Sequence, residues 1–352
     1  MPTPEETQAL TSRIDDLQRR VNDLQREVLL AGVKDALEDL DTLIGQLDKL
    51  IGEVRTAGYV FGADLEPGAK ALQSQWPGLR ANAQRQVTTQ APSLQAALRP
   101  VEAQVRDLNA KRANYAAAKA LAPSVQAAVE ALDAKVKAAR EAIEGSYDKF
   151  RGEANKLKAR LDAAKLMLQR VAEAKFRLLP TEGAVAAVPA KWDRDGKDDP
   201  KGLLYLTDQR LVFEQKEEVA TKKLLFITTE KEQVHQLLLE VPVADVDEVK
   251  ASKKGLLGHE DHLDLAFSAN AAVRAAHFHL EGQASHEWQA LLGRAKSKEL
   301  DKDRAVKVDQ TVLERVASAP TKCATCGAAF TKPVLRGQSE ITCEFCGTVT
   351  RF

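Results

Sequence analysis

The chain has 352 residues, with 51 Lys plus Arg against 51 Asp plus Glu and only 5% aromatic residues. A length beyond the roughly 250 residues at which a single core stops growing calls for more than one domain. Balanced charge excludes a whole-molecule basic field for nucleic acid or anionic lipid, and no uncharged apolar stretch approaches the ~20 residues that cross a bilayer.

The first region, residues 1–172, is rich in Ala, Leu, Gln, Glu, Lys and Arg and patterned at helical spacing. Ile14, Leu17, Val21, Leu24 and Val28 step by three and four. Val33, Leu37, Leu40, Ile44, Leu47, Ile51 and Val54 repeat that step after a phase change near Gly32. Such a seam needs another helix against it, as in a bundle or a self-associating coiled coil. The stretch "AGYVFGADLEPG" breaks the pattern, and Pro77, Pro92, Pro100 and Pro123 are expected to cut or kink the helices after it. A further stripe runs through Leu94, Leu98, Val101, Val105 and Leu108, and a long one from Val125 through Ile143 to Val171. One straight helix over that last stripe would be roughly 70 Å long. This region reads as a spacer that joins copies of the chain into a homo-oligomer.

From "FRLLPTEGAV" onward the period changes. "GLLYLTDQRLVFEQ", "HQLLLEVPVADVDEVKAS", "HLDLAF" and "AAHFHLEG" are β-rich runs with turn signals between them, and "ASHEWQALLGRAKSK" is an amphipathic helix. Several antiparallel strands sealed by one late helix describe a barrel or sandwich. "GLLYLTDQRLVF" resembles the second and third strands of GRAM and bacterial pleckstrin-homology-like domains, where a Leu-Thr-Asp turn joins two strands, and the helix with Trp288 stands where that family has its closing helix. The resemblance covers about residues 173–298. It implies a PH-like antiparallel β-barrel with a C-terminal helix, docking on a membrane or a protein.

Within it, "KASKKGLLGHED" places Lys250, Lys253 and Lys254 before Leu256 and Leu257, as a hairpin tip touching lipid headgroups or a partner would. The commoner reading of such a turn is that its leucines pack on the barrel. The acidic "KWDRDGKDDPKG" loop opposes phosphate and argues against specific phosphoinositide recognition.

Residues 299–319 form a polar linker with a short apolar stripe at Val308, Val312 and Val316, expected as a solvated helix or tether. The last segment, 320–352, holds all four cysteines. Cys323 and Cys326 are two residues apart, sixteen residues intervene, and Cys343 and Cys346 repeat the spacing, which is the pattern of a structural zinc site. Gly327 and Gly347 follow directly, where a tight turn lets two thiolates face one ion. The segment resembles the zinc-ribbon and rubredoxin-like family, with "RGQS" at Arg336–Ser339 as a hairpin turn, free of the barrel or docked on a neighbour. Four-sulfur ligation leaves no open position, so the ion, Zn2+, is expected to be structural; iron in an electron carrier is the alternative.

No set of residues with catalytic spacing stands out. "HEWQA" has Ala290 where a zinc-protease helix needs its second histidine. His259, His262, His277 and His279 offer only incidental metal binding. The fold class is thus multi-domain α+β: a helical coiled coil or bundle, a PH-like barrel and a small β zinc ribbon. The function expected is that of a non-enzymatic cytosolic adaptor or scaffold, cytoplasmic or peripheral at the inner face of the membrane. A nucleic-acid-associated or stress-response factor is the second reading, although between its cysteines the last segment offers only Lys332 and Arg336 as cations.

Overall fold

The computed structural model describes residues 2–194, 199–224, 227–255 and 259–352, with backbone alone for 219–232. It is an α+β protein that divides into two compact units, one of residues 1–48 and 67–159, the other of 49–66 and 160–352.

The helices of the N-terminal region are α1 (Pro4–Glu27), α2 (Ala31–Thr56), α3 (Leu65–Ala110), α4 (Tyr115–Gly145) and α5 (Asp148–Ala172). Thr3 opens α1 with a capping box: its side chain accepts from the Glu6 amide while Glu6 reaches back to the Thr3 amide. The phase change falls at Leu30, in the left-handed region at φ 54°, just ahead of Gly32. Pro77, Pro92 and Pro100 lie inside the 46-residue α3, and Pro123 lies inside α4. Each proline removes one backbone bond, and a well-buried apolar stripe offsets that loss, so none of them ends its helix. The stripe from Val125 to Val171 is two helices, broken at Ser146 and Tyr147.

In the first unit the seams find their partners within the same chain. Ile14, Leu17, Val21 and Leu24 on α1 are buried, as are Val125, Val129, Leu132 and Val136 on α4. Arg20 bridges to Asp133 across that pair, and Arg112 forks onto Asp15 at 2.7 and 2.9 Å. Trp76 of α3 donates its ring N–H to Asp41 of α2 at 2.8 Å and stacks on Phe150 of α5 with ring centres 5.3 Å apart. The apolar rows that suggested self-association are therefore already covered, which removes the reason for a homo-oligomer that the rows supplied.

The second unit is built on a seven-stranded antiparallel sheet in the order β4-β3-β2-β1-β7-β6-β5. Its strands are β1 (Ala184–Asp193), β2 (Lys201–Thr207), β3 (Arg210–Leu224), β4 (Ile227–Pro242), β5 (Val246–Lys254), β6 (Glu260–Phe267) and β7 (Ala275–Leu280). The alanine-rich β1 carries too little β-branched or aromatic residue to stand out in the sequence, yet it pairs with both β2 and β7 at the centre of the sheet. Helix α6 (Ser285–Lys296) lays Trp288, Leu292 and Ala295 on a core that includes Trp192, Phe213 and Phe278, and the Trp288 ring N–H is satisfied by Gln283 at 2.6 Å.

Phe61, from the loop between α2 and α3, joins this core. Arg55 shapes that loop by donating to the carbonyls of Tyr59, Phe61 and Gly62. The same loop receives the first half of the polar linker: Ala63 donates to the Asp303 carbonyl, Ala305 donates to the Val60 carbonyl, and the Arg304 guanidinium lies 5.1 Å from the centre of the Phe61 ring. Residues 299–306 are thus docked instead of tethering freely, and α7 (Gln310–Ala317), capped by Asp309, comes after them.

Leu24 is fully buried in the first unit. Leu24→Ala is expected to cost about 2–5 kcal/mol in urea unfolding. That cost should not change with protein concentration; a concentration dependence would mark an intermolecular seam.

Candidate metal centre

Each Cys pair sits on its own tight turn. The Cys323 amide donates to the Ala328 carbonyl at 2.8 Å and the Gly327 amide to the Cys323 carbonyl at 2.9 Å. The second turn repeats the first: Cys343 to Thr348 and Gly347 to Cys343, both 2.9 Å. Gly327 and Gly347 both have φ 72°, a backbone state a side chain would strain. A Lys322–Ala329 bridge flanks the first turn, and β8 (Glu340–Thr342) paired with β9 (Val349–Arg351) flanks the second. Each knuckle is therefore its own small hairpin. The segment between them does not form the pair of strands expected around "RGQS", because it carries Pro333 and uses its backbone groups elsewhere.

The four Sγ atoms lie within 4.8 Å of one another, with Cys323 to Cys346 at 3.7 Å and Cys326 to Cys343 at 3.6 Å. Zinc–sulfur bonds of ~2.3 Å in a tetrahedron require sulfurs about 3.8 Å apart, and a disulfide requires about 2.0 Å. The donor set and spacing fit a single tetrahedral metal and no disulfide. The amides of Cys326 and Thr325 hold the Cys323 thiol below its usual range. The Thr348 hydroxyl, followed by its amide, takes Cys346 down to about 6. The Ala328 amide favours the Cys326 thiolate, but proton sharing with Cys346 and Cys343 outweighs it and pushes that thiol up to about 12. Four such groups packed together cannot all ionise without a cation among them.

The module is fastened to the sheet through the Leu-Thr-Asp turn. Thr207 Oγ1 accepts from the amides of Gln209 and Arg210, which closes the turn from β2 to β3. Asp208, its side chain 2% exposed, accepts from the Gly183 amide at 2.9 Å, from Arg304 at 2.5 Å and from Arg336. Arg336 also donates to Asp301 at 2.9 Å. Gln209 and the Arg336 backbone exchange two hydrogen bonds, at 2.5 and 3.1 Å. Gly337, at φ 86°, lies so close to Pro180 that a Cβ would come 2.1 Å from its carbonyl oxygen. Asn270 adds a bond to the Thr331 carbonyl.

Beside this latch a second buried pair, Arg210 with Glu182, is joined by Thr207. Nothing in residue spacing foretold the latch, since Asp208, Arg304 and Arg336 come together only through the fold. The only hint was the Leu-Thr-Asp turn itself. Both cations that the sequence offered for phosphate are occupied: Arg336 in the latch and Lys332 by Glu344 at 2.8 Å.

Of the suggested contact loop, Lys250, Lys253 and Lys254 stand on β5, facing Asp264, Asp261 and Glu260 across the ladder, while Leu256 and Leu257 lie outside the described residues. No described helix is long and apolar enough to cross a membrane.

No family model matches the sequence, and no curated relative matches it. Among solved structures, the N-terminal PH domain of Vps36 aligns at 17% identity and TM-score 0.25, over 37% of this chain and 91% of that one. The DH/PH domains of p115-RhoGEF align at 12% identity and TM-score 0.22, over 86% and 99%. The DH/PH fragment of PDZRHOGEF, solved with human RhoA, aligns at 11% identity and TM-score 0.27, over 81% and 95%. None of these similarities is close enough to assign a family or a partner.

The four cysteines of the purified protein are expected to hold one metal ion, releasable by a strong chelator or by acid as the thiolates take up protons. Hydrogen exchange should then rise across 321–352 and leave β1–β3 protected. Asp208→Ala, which takes the buried carboxylate from Arg304 and Arg336 and leaves them to share Asp301, is expected to cost about 3–5 kcal/mol in urea unfolding.

Proposed function

We propose that this chain is a non-enzymatic adaptor: a helical spacer, a GRAM or PH-like domain, and a zinc ribbon whose structural Zn2+ is held by Cys323, Cys326, Cys343 and Cys346. Zinc would supply folding free energy that so small a module cannot obtain by burying apolar surface. The latch at Asp208 joins ribbon and sheet, so the two would meet a partner as one surface.

The observation that carries this reading is Phe345, 71% exposed at the tip of the second knuckle, with Val349, at the start of the strand that leaves it, also exposed. An aromatic side chain held in water on a rigid turn costs solvation and has no role in the chain's own packing. Aromatic anchors of this kind dominate binding at protein interfaces. Next to it, Lys332 and then Thr331 hold the Glu344 carboxyl below its usual range, which leaves the knuckle tip apolar with a neutralised rim. The occupant is accordingly a protein. A phosphate-bearing partner is disfavoured by the pairing of Lys332 and Arg336.

A photo-crosslinker in place of Val349 in the expressing cells is expected to trap a specific protein. Its affinity for Phe345→Ala should fall by about 2 kcal/mol, roughly 30-fold, with metal content unchanged. Unchanged affinity in that variant, or capture only by anionic vesicles or by DNA at physiological salt, would overturn the reading. The metal is checked by the absorbance spectrum of the purified protein: zinc leaves it colourless, and a red oxidised form would establish iron and an electron-carrying role.

A further inference from the structure

The outer face of the β6–β7 ladder gathers three histidines and two carboxylates. Register sets His262 opposite His279 and Asp264 opposite His277, and Glu260 lies two residues before His262 on the same face. The rings of His262 and His279 stack 4.7 Å apart and nearly parallel. The donor atoms of Glu260, His262 and His279 all lie within 4.8 Å of one another. His262 is buried, His279 half-buried and Glu260 exposed.

A chain of contacts fixes the tautomers. Glu260 faces His262 Nε2 at 3.4 Å, His262 Nδ1 meets His277 Nε2 at 2.9 Å, and His277 Nδ1 meets the Asp264 carboxylate. Three junctions each need one proton, and two neutral imidazoles bring only two. If Asp264 accepts from His277 and His277 accepts from His262, then His262 Nε2 turns a bare lone pair toward the Glu260 oxygen. Two acceptors then confront each other, and a cation between them removes the conflict. A proton would need only that pair; the third donor, on His279, is what a metal ion uses.

We infer that Glu260, His262 and His279 form a second metal site, for a divalent transition ion of the zinc type. Two imidazoles and one carboxylate suit such an ion, and three protein ligands leave a coordination position for water or for a donor from a partner. Glu260 and His262 Nε2 already stand 3.4 Å apart, near the roughly 3.3 Å edge of a tetrahedron with ~2.0 Å bonds, so closing the site requires the half-buried His279 ring to turn out of its stack on His262 toward them. His277 is a positioning residue: with Asp264 behind it, it holds the His262 ring by the nitrogen away from the ion, as outer partners of metal-bound histidines do. Competing cations are few on this face. Lys254 lies across from Glu260, and Lys191, across from His279, is held by Asp199 at 2.6 Å.

The test uses the full chain, first saturated with zinc and freed of excess by gel filtration, then titrated with Zn2+ at micromolar concentrations. Wild type is expected to take up one equivalent more than His279→Gln or His262→Gln. The half-buried His279 variant serves should His262→Gln fail to fold. His277→Gln should keep the stoichiometry and weaken affinity about 10–100-fold. Nitrogen NMR of the zinc-bound wild type should show His262 protonated at Nδ1 and zinc-ligated at Nε2, with the Nδ1–H resonance shifted in His277→Gln as its acceptor is replaced. Uptake by wild type no greater than by His279→Gln would overturn the inference, whatever the cysteine site contains.

Discussion

Asp208 is the charge on which the arrangement of the second unit depends. It is a buried carboxylate at the end of β2, and its oxygens are shared among the Gly183 amide, Arg304 and Arg336. A buried ion is tolerated only when its partners are in place, because desolvation costs several kcal/mol per charge. Arg304 of the polar linker and Arg336 of the cysteine module therefore each compensate the carboxylate at the turn between β2 and β3. In turn, Arg304 is 3% exposed and without that carboxylate would keep only Asp301, 3.5 Å from its Nε, as an anionic partner. Ion pairs of this kind add little net stability, but they permit only one arrangement of the groups they join.

The cysteine module illustrates the same logic at a smaller scale. Its two knuckles repeat each other bond for bond, and its strands are three residues each, so little apolar surface is buried within it. Four sulfurs at the spacing of a tetrahedron and a docked Arg336–Gly337 turn take the place of a core. On the proposed function, rigidity would come from ligation and latch, which would leave the exposed Phe345 side chain free for contact.

The histidine face shows how an ordinary pattern in sequence becomes chemistry on a sheet. His262 and His279 are seventeen positions apart along the chain and by themselves offered only incidental metal binding. Antiparallel register sets them side by side, with Glu260 and the His277–Asp264 pair around them. The same register places Lys254 next to Glu260, so the proposed site sits beside the lysines first considered for lipid contact.

Short-range pattern was enough for several features. Helical rows in residues 1–172, strands with a closing Trp288 helix, and paired cysteines each depend on neighbours within a few positions, where periodicity and turn geometry act directly. The prolines of α3 do not end their helix, because local propensity yields to packing against other helices, and the Val125–Val171 stripe is two helices although its apolar spacing continues across the break. Self-association was suggested by seams whose covering helices belong to the same chain. Sequence by itself determined the helical rows, the strands other than the alanine-rich β1, and which four sulfurs converge. Tertiary structure alone decided that Asp208 gathers Arg304 and Arg336, that Phe61 enters the sheet's core, and that His262 meets His279, because each joins residues whose separation along the chain carries no periodic signal.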